Sequence, residues 1–142
     1  MQLKFIYPRD VQQDLNKESV CTKICNNAVE HLSLPNDLVI EFVRLKKHNH
    51  GDTYVHYKDG PRIRLNLDLL LNDIVIPLVH ELIHLEQLHL GKLMINHEGL
   101  YIWEKKPYNI DTTQIPYEEY LQLPWERDVN NRLPNLLSLI LA

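Results

Sequence analysis

Two histidines and a glutamate stand at a spacing suited to binding and using a metal ion. His80, Glu81 and His84 form the pattern His-Glu-x-x-His. On a helix the two histidines lie about 40° apart and one turn along the axis, so both imidazoles can reach one ion. Glu81 lies about 60° from His84, beside the ion, where a base acting on a metal-activated water belongs. The pattern predicts a hydrolytic metal site.

The composition of the chain makes this pattern unlikely to arise by chance. With eight histidines and ten glutamates among 142 residues, about 0.03 such patterns are expected at random. The surrounding segment is apolar on nearly every side, which predicts a buried helix. Burying a carboxylate and two imidazoles without partners is costly. A bound cation would relieve that cost; the alternative is three polar side chains satisfied by hydrogen bonds in the core.

A hydrolytic zinc site needs a third protein ligand and an open fourth position. The metzincin extension is excluded, because Gln87 and Leu90 stand three and six residues beyond His84. The remaining candidates all lie downstream: His97, Glu98, Glu104, Asp111, Glu118, Glu119, Glu126 and Asp128.

Hydrophobic periodicity predicts the elements that must position these residues. We expect a strand at 3–7, a helix at about 10–32, a strand at 38–45, a hairpin of 53–57 and 62–67, a central helix within 72–90, a second hairpin of 100–103 and 107–110, helical or turn segments at 116–123 and 124–133, and an aliphatic tail at 134–142. The tail should pack in the core or in an oligomer contact. Pro77 must fall in the first turns of the central helix, which should therefore begin between residues 72 and 76.

The first hairpin has further features. Asp59-Gly60 is a strong turn signal, and in the second arm Arg62, Arg64 and Asn66 alternate with apolar residues, which predicts one solvated face. We expect one arm, 53–57 or 62–67, to form an exposed edge to which an extended peptide could add. Residues 44–64 carry a local positive excess, either a solvated face or a docking patch for an acidic partner.

The predicted elements give an α+β fold class, and the length of the chain suits a domain that needs no disulfide or metal merely to fold. The chain has 142 residues, 44% of them apolar, which suits a single domain. Cys21 and Cys25 lie four apart on a helix, where a disulfide would be strained, so we expect reduced thiols. No apolar run reaches the about 18 residues of a membrane helix, and no signal peptide is evident. We expect a cytoplasmic protein, and the net charge of -4 argues against general nucleic-acid binding.

The pattern at His80–His84, the strand pair around 101–103, and the stretch 117–126 ending in Pro-Trp-Glu together resemble small gluzincin-type metallopeptidase domains. These minigluzincins occur in many phage and prokaryotic genomes, and the resemblance spans about residues 62–130. It implies one zincin-like domain over 1–142, with Zn²⁺ held by His80, His84 and Glu126, and with Glu81 as catalytic base. It also implies a peptide or protein substrate, and the host cytoplasm as location if the chain is phage-encoded.

Local sequence features agree with this ligand set, but Val129 departs from the family pattern. Pro124 suits the first position of a helix, which would place Glu126 in the first turn. Trp125 would either shield the site or anchor the core. Val129 stands where such domains often have a small residue. His97 is the rival third ligand, since DNA-linked metallopeptidases of the SprT type take a third histidine downstream.

Several other polar residues could support the chemistry. Gln87 lies about 20° from His80 on the same face of the helix, so it either makes a hydrogen bond that supports a metal ligand or is a polar residue that faces solvent. A tyrosine could stabilise the oxyanion of a tetrahedral intermediate; the candidates are Tyr120, Tyr117 and Tyr101. A group of histidines flanks a glycine turn, where solvation is expected over a second metal site: His48, His50 and His56.

The sequence therefore predicts zinc-dependent hydrolysis of peptide bonds. The alternative is a zincin-fold binding or regulatory module with weak or no turnover. Glu81 favours the enzyme, because a zinc site that only holds structure does not need a base beside the ion.

Overall fold

The computed structural model describes the backbone of residues 1–142 and every side chain except those of His56 and Tyr57. Over this backbone the strands are β1 (Gln2–Ile6), β2 (Asp37–Val43), β3 (Gly51–Tyr57), β4 (Gly60–Asn66), β5 (Leu93–Ile95), β6 (Tyr101–Trp103) and β7 (Lys106–Tyr108). The helices are α1 (Leu15–Ala28), α2 (Val75–His89), α3 (Tyr117–Leu121) and α4 (Pro124–Leu141), and a 3-10 turn, Leu71–Asp73, precedes α2. The α+β class is confirmed.

The larger sheet has the strand order β1-β2-β4-β3. β1, β2 and β4 are parallel, and β3 runs antiparallel to β4. Helix α1 makes the crossover that the parallel pair β1 and β2 requires. β4 pairs with β2 on one side and with β3 on the other, and its core-facing Ile63 and Leu65 are fully buried. The edge expected in one of the two arms is therefore 53–57, and 62–67 lies in an inner strand.

One face of this sheet is polar, as the alternation in the second arm predicts. The arginines on this face pair with carboxylates: Arg62 with Glu41 at 2.9 Å and Arg64 with Asp52 at 2.6 Å. These pairs offset much of the positive excess of residues 44–64. Asn66 departs from the prediction, because it is buried and its side-chain amide donates to a backbone carbonyl in the loop before β3.

Helix α2 is the central element of the domain. It packs against β3 and β4 on one side and against α1 and α4 on the other, which is why Leu78, Val79, Leu82, Ile83 and Leu85 are all buried, whereas Ile76 in the first turn is exposed. The helix begins at Val75, within the predicted range of 72–76, and Pro77 is its third residue. The helix ends at His89, and Gly91, with φ 75°, turns the chain away as predicted.

Helix α1 is shorter than the predicted 10–32. It begins at Leu15 because the Asp14 side chain accepts hydrogen bonds from the backbone N–H groups of Asn16 and Lys17, which caps the helix. Cys21 and Cys25 face the core as free thiols, which confirms the prediction. Burial raises the pKa of both thiols to about 12.

The second half of the chain holds two elements that the sequence did not predict correctly. The second hairpin is present as β6 and β7, but β5 adds a third strand. Helix α4 does not end near residue 133; it continues through Pro134 to Leu141. The proline removes one backbone hydrogen bond, and burial of Leu136 and Ile140 against the core offsets that loss. No helix in the described chain has the length and hydropathy to cross a membrane.

Candidate metal centre

His80 and His84 project from the same side of α2. Their ring centroids are 5.0 Å apart and their planes are inclined at 69°, as a spacing of one helical turn predicts. Both Nε2 atoms face the carboxylate of Glu126. The distance from His80 Nε2 to Oε1 is 3.3 Å, and that from His84 Nε2 to Oε2 is 2.9 Å. The two histidines and Glu126 therefore converge on one point.

Glu126 reaches this point because α4 begins beside α2. Pro124 occupies the start of the helix, and Glu126 lies in its first turn, as predicted. The preceding Trp125 is buried and stacks on Tyr101, with ring centroids 5.0 Å apart and planes 7° from parallel. This stack fixes where the first turn of α4 lies. Of the two predicted roles of Trp125, the core anchor is the one that the packing shows.

The three side chains fit a metal ion. One ligand atom from each of His80, His84 and Glu126 lies within 4.8 Å of the other two. Two imidazole nitrogens and one carboxylate oxygen form a donor set suited to zinc and similar divalent cations. Side-chain exposure falls from 27% at His80 to 11% at His84 and 2% at Glu126. A molecule from solvent would therefore approach from the His80 side.

Without an ion, the charges of the group balance through a proton. Burial opposes ionisation of Glu126, but hydrogen bonds from both histidines outweigh it and lower the pKa of this carboxyl to about 2. Burial likewise disfavours the charged form of His84, yet the hydrogen bond to Glu126 and the nearby Glu81 raise the pKa of His84 to about 9. The proton on His84 thus supplies the positive charge that a bound metal cation would otherwise supply.

The side chains of His80, His84 and Glu126 are called the metal-binding group below. Glu81 lies beside this group and is not one of its members. Its Oε2 is 3.9 Å from His80 Nε2. Thr53 of strand β3 donates its hydroxyl to Glu81 Oε1 at 2.8 Å. Burial raises the pKa of Glu81, against the lowering effects of His84, His80 and the Thr53 hydrogen bond. The edge strand therefore holds this carboxylate next to the metal position.

Gly51 allows the close approach of β3 to β4 beside Glu81. A Cβ atom at residue 51 would lie 2.7 Å from the backbone oxygen of Arg64 and 3.4 Å from Cγ of Glu81. Sequence reasoning missed both Gly51 and Thr53, because their roles depend on contacts with residues far along the chain, such as Glu81, 28 positions beyond Thr53. The one available signal was a glycine at the start of a strand.

Gln87 is fully buried and hydrogen-bonds to one of the two histidines, which confirms the first of its two predicted roles. Its side-chain oxygen accepts from Nδ1 of His84 at 2.8 Å. The amide nitrogen of Gln87 donates to the carbonyl of Trp125 at 3.0 Å and to Oδ2 of Asp128 at 2.9 Å. These bonds fix the amide so that His84 keeps its proton on Nδ1, and Nε2 faces the metal position.

Arg132 extends this network between α2 and α4. Its guanidinium pairs with Asp128 at 3.1 Å and with Glu86, and Glu86 also accepts from the backbone N–H of Ser33 at 2.7 Å. Asp128, a candidate metal ligand from sequence, therefore positions Gln87. Nothing in the spacing of Glu86, Asp128 and Arg132 indicated this arrangement.

Tyr120 is the candidate tyrosine nearest the metal-binding group. Burial raises its pKa well above the usual range, and the carboxylates of Glu126 and Glu81 add to this, Glu126 also through a hydrogen bond. Tyr120 lines both the cavity that contains His80 and the one that contains His84. Tyr117 is 72% exposed, and Tyr101 is stacked on Trp125.

The other predicted ligand candidates are not part of the described metal-binding group. The side chain of His97 is 90% exposed, and its Nε2 lies 3.8 Å from Glu98 Oε1. His48 and His50 are exposed, as expected, and the side chain of His56 lies outside the described residues. Val129 is fully buried in the core, so α4 packs closely with a valine at this position.

A cleft opens over the metal-binding group along β3. On the His80 side it is a cavity of about 540 Å³ whose lining includes His50, Asp73 and Tyr117. A narrower cavity of about 190 Å³, next to Glu81, His84 and Glu126, continues along the strand. The metal position is therefore reached from a surface cleft with an edge strand as one wall.

The first prediction concerns the third ligand. Glu126→Ala should lower zinc affinity by more than the about 100-fold upper range seen for residues that only support a ligand. His97→Ala, the matched control, should bind zinc as the wild type does. Zinc stoichiometry and competition with a chelator measure both, with circular dichroism to check folding. Stoichiometric zinc in Glu126→Ala together with its loss in His97→Ala would reverse the ligand assignment.

The second prediction concerns Gln87. Gln87→Leu should lower zinc affinity by about 10 to 100-fold, because His84 loses the acceptor that fixes its proton on Nδ1. The exposed Gln13 provides the same substitution away from the site, and Gln13→Leu should have no effect. Chelator competition gives both affinities. Unchanged zinc affinity in a folded Gln87→Leu would mean that the hydrogen bond does not support the metal site.

Comparisons of the chain with protein-family models, with curated proteins and with solved structures found no match. The resemblance to the gluzincin-type peptidases therefore stays a prediction from the sequence. What the chain does must be inferred from the residues of the site and from their arrangement.

Proposed function

We propose that the chain is a zinc-dependent metallopeptidase. The observation that carries the proposal is a carboxylate that lies beside the three candidate ligands but is not one of them. Glu81 is held by Thr53 next to His80, His84 and Glu126 but lies outside the group formed by those three side chains. A metal site that only stabilised the fold would have no use for this carboxylate at an open cleft.

His80, His84 and Glu126 would hold the zinc ion. When bound, the ion would supply Lewis-acid polarisation of the scissile carbonyl and would lower the pKa of the attacking water. Glu81 is positioned to accept a proton from that water. The water oxygen then bonds to the carbonyl carbon, the C–N bond breaks, and Glu81 returns the proton to the leaving amine.

The edge strand β3 offers a binding site for the substrate backbone. Asn66 donates its backbone N–H to the carbonyl of His50, so positions 50, 52 and 54 are the hydrogen-bonded pairs of β3 with β4. Thr53, at an alternate position, therefore directs its N–H and C=O away from β4. An extended peptide can add to these groups, which places its backbone along the cleft and beside Glu81.

The hydroxyl of Tyr120 is the best-placed donor for the oxygen of the scissile carbonyl. It lies next to Glu126 and lines the cleft on both sides of the metal-binding group. Negative charge develops on that oxygen as the water adds, and a fixed hydrogen-bond donor stabilises this charge more in the transition state than in the substrate.

The third prediction tests the enzyme against the binding module. Glu81→Gln should retain zinc and the fold but should lose about 10² to 10⁴-fold in cleavage rate, because the amide cannot accept the proton. The matched control is Glu98→Gln, whose side chain is 75% exposed in the wild type, and it should cleave normally. Rates are measured with zinc-loaded proteins on a broad peptide library.

Two outcomes would contradict the proposal. Equal cleavage by wild type and Glu81→Gln would exclude Glu81 as the base. No cleavage by a zinc-loaded wild type, in the library or in cell extract, would favour the alternative of a zincin-fold binding module.

The fourth prediction concerns Tyr120. Tyr120→Phe should lower kcat by about 10² to 10³-fold with little change in KM, because the lost donor acts mainly in the transition state. Tyr117→Phe, at a tyrosine that lines the same cavity but is exposed, should leave kcat nearly unchanged. A loss confined to KM in Tyr120→Phe would show that this tyrosine binds the substrate without stabilising the oxyanion.

A further inference from the structure

The cleft widens into a separate pocket beyond the metal-binding group. This pocket has a volume of about 450 Å³ and lies on the His84 side, between β3, the end of α2 and the smaller sheet. It is continuous with the narrow cavity beside Glu81 and His84, since both are lined by the same five residues: Thr53, Tyr54, Leu88, Ile95 and Tyr101. Val55 and Gly99 complete its lining.

The lining of this pocket is apolar. Among the described side chains none that lines it is charged, and the Thr53 hydroxyl already donates to Glu81. A charged side chain that entered would lose hydration without meeting an opposite charge among the described lining residues, whereas an aliphatic or aromatic side chain would gain from leaving water. The cavity on the His80 side differs, because its lining includes His50, Asn72 and Asp73.

The walls of the pocket are already in place. Tyr101 stacks on Trp125, and Leu88 packs against the small core formed by Leu93, Leu123 and Trp125. A side chain that binds here does not need to order these walls first, so little of its binding free energy is lost.

From this pocket and its continuity with the cleft we propose that the protein selects substrates with a large aliphatic or aromatic residue on the His84 side of the cleaved bond. A peptide added to β3 would alternate its side chains between the two sides of its own backbone, and one of them would enter the pocket. This selectivity rests on the proposed function, because it assumes that the peptide backbone lies along β3.

The experiment compares two neighbouring residues of β5. Ile95 lines the pocket, whereas Met94 is 53% exposed and does not line it. Both changes, Ile95→Glu and Met94→Glu, are made in the wild type and in the non-cleaving Glu81→Gln background. The probes are four pools of labelled ten-residue peptides. Each pool has one fixed central residue, which is Leu, Phe, Lys or Asp, and the other positions have the same mixed composition in all four pools. Fluorescence anisotropy measures binding to the zinc-loaded Glu81→Gln proteins, and mass spectrometry locates cleavage by the others.

We expect the Leu and Phe pools to bind at least about 10-fold more tightly than the Asp pool. Ile95→Glu should abolish most of this preference and improve binding of the Lys pool, while Met94→Glu should behave as the parent protein does. Cleavage sites of the wild type should carry Leu or Phe at one fixed position next to the cleaved bond.

The outcomes separate this inference from the proposed function. Cleavage without a preference for Leu or Phe, or equal effects of Ile95→Glu and Met94→Glu, would overturn the pocket assignment and leave the peptidase standing. Selective binding of the Leu and Phe pools without any cleavage by the wild type would support the pocket and count against the peptidase. No binding by any of the four pools would overturn the pocket assignment.

Discussion

The burial of the Glu126 carboxylate is the constraint on which the site depends. A carboxylate with 2% of its side chain exposed is tolerable only with a positive partner at hydrogen-bond distance. His80 and His84 provide this partner as long as α4 stays docked against α2. The same docking brings three ligand atoms to one point. Binding of a cation therefore depends on the packing of α4 against α2.

A partly buried polar network maintains this docking. Arg132 of α4 joins Asp128 to Glu86 of α2, and Gln87 links Asp128 to His84. Each member has a partner, which is the condition under which a buried network adds order. The arrangement also determines which nitrogen of His84 faces Glu126. Stability of the helix pair and orientation of the imidazole therefore depend on the same hydrogen bonds.

Strand β3 connects this centre to the surface. Its core side holds Glu81 through Thr53, and its free edge forms one wall of the cleft. The approach of β3 to β4 at residue 51 is close enough that a side chain there would clash with the backbone oxygen of Arg64. The small sheet completes the opposite wall, where Tyr101 rests on Trp125. The residue that anchors the start of α4 thus also supports the apolar pocket.

Local periodicity and turn chemistry are enough to predict the α+β class, the helix that carries His80, Glu81 and His84, and the hairpin turn at Gly60. Pro124 and the resemblance to a known family also favoured Glu126. Tertiary packing was needed to show that Glu126 meets both histidines, that Gln87 hydrogen-bonds to His84, that Thr53 holds Glu81, and that α4 continues past Pro134. Each of these depends on contacts between residues far apart in the chain, or on burial that outweighs a local preference, and neither leaves a periodic signal in the sequence.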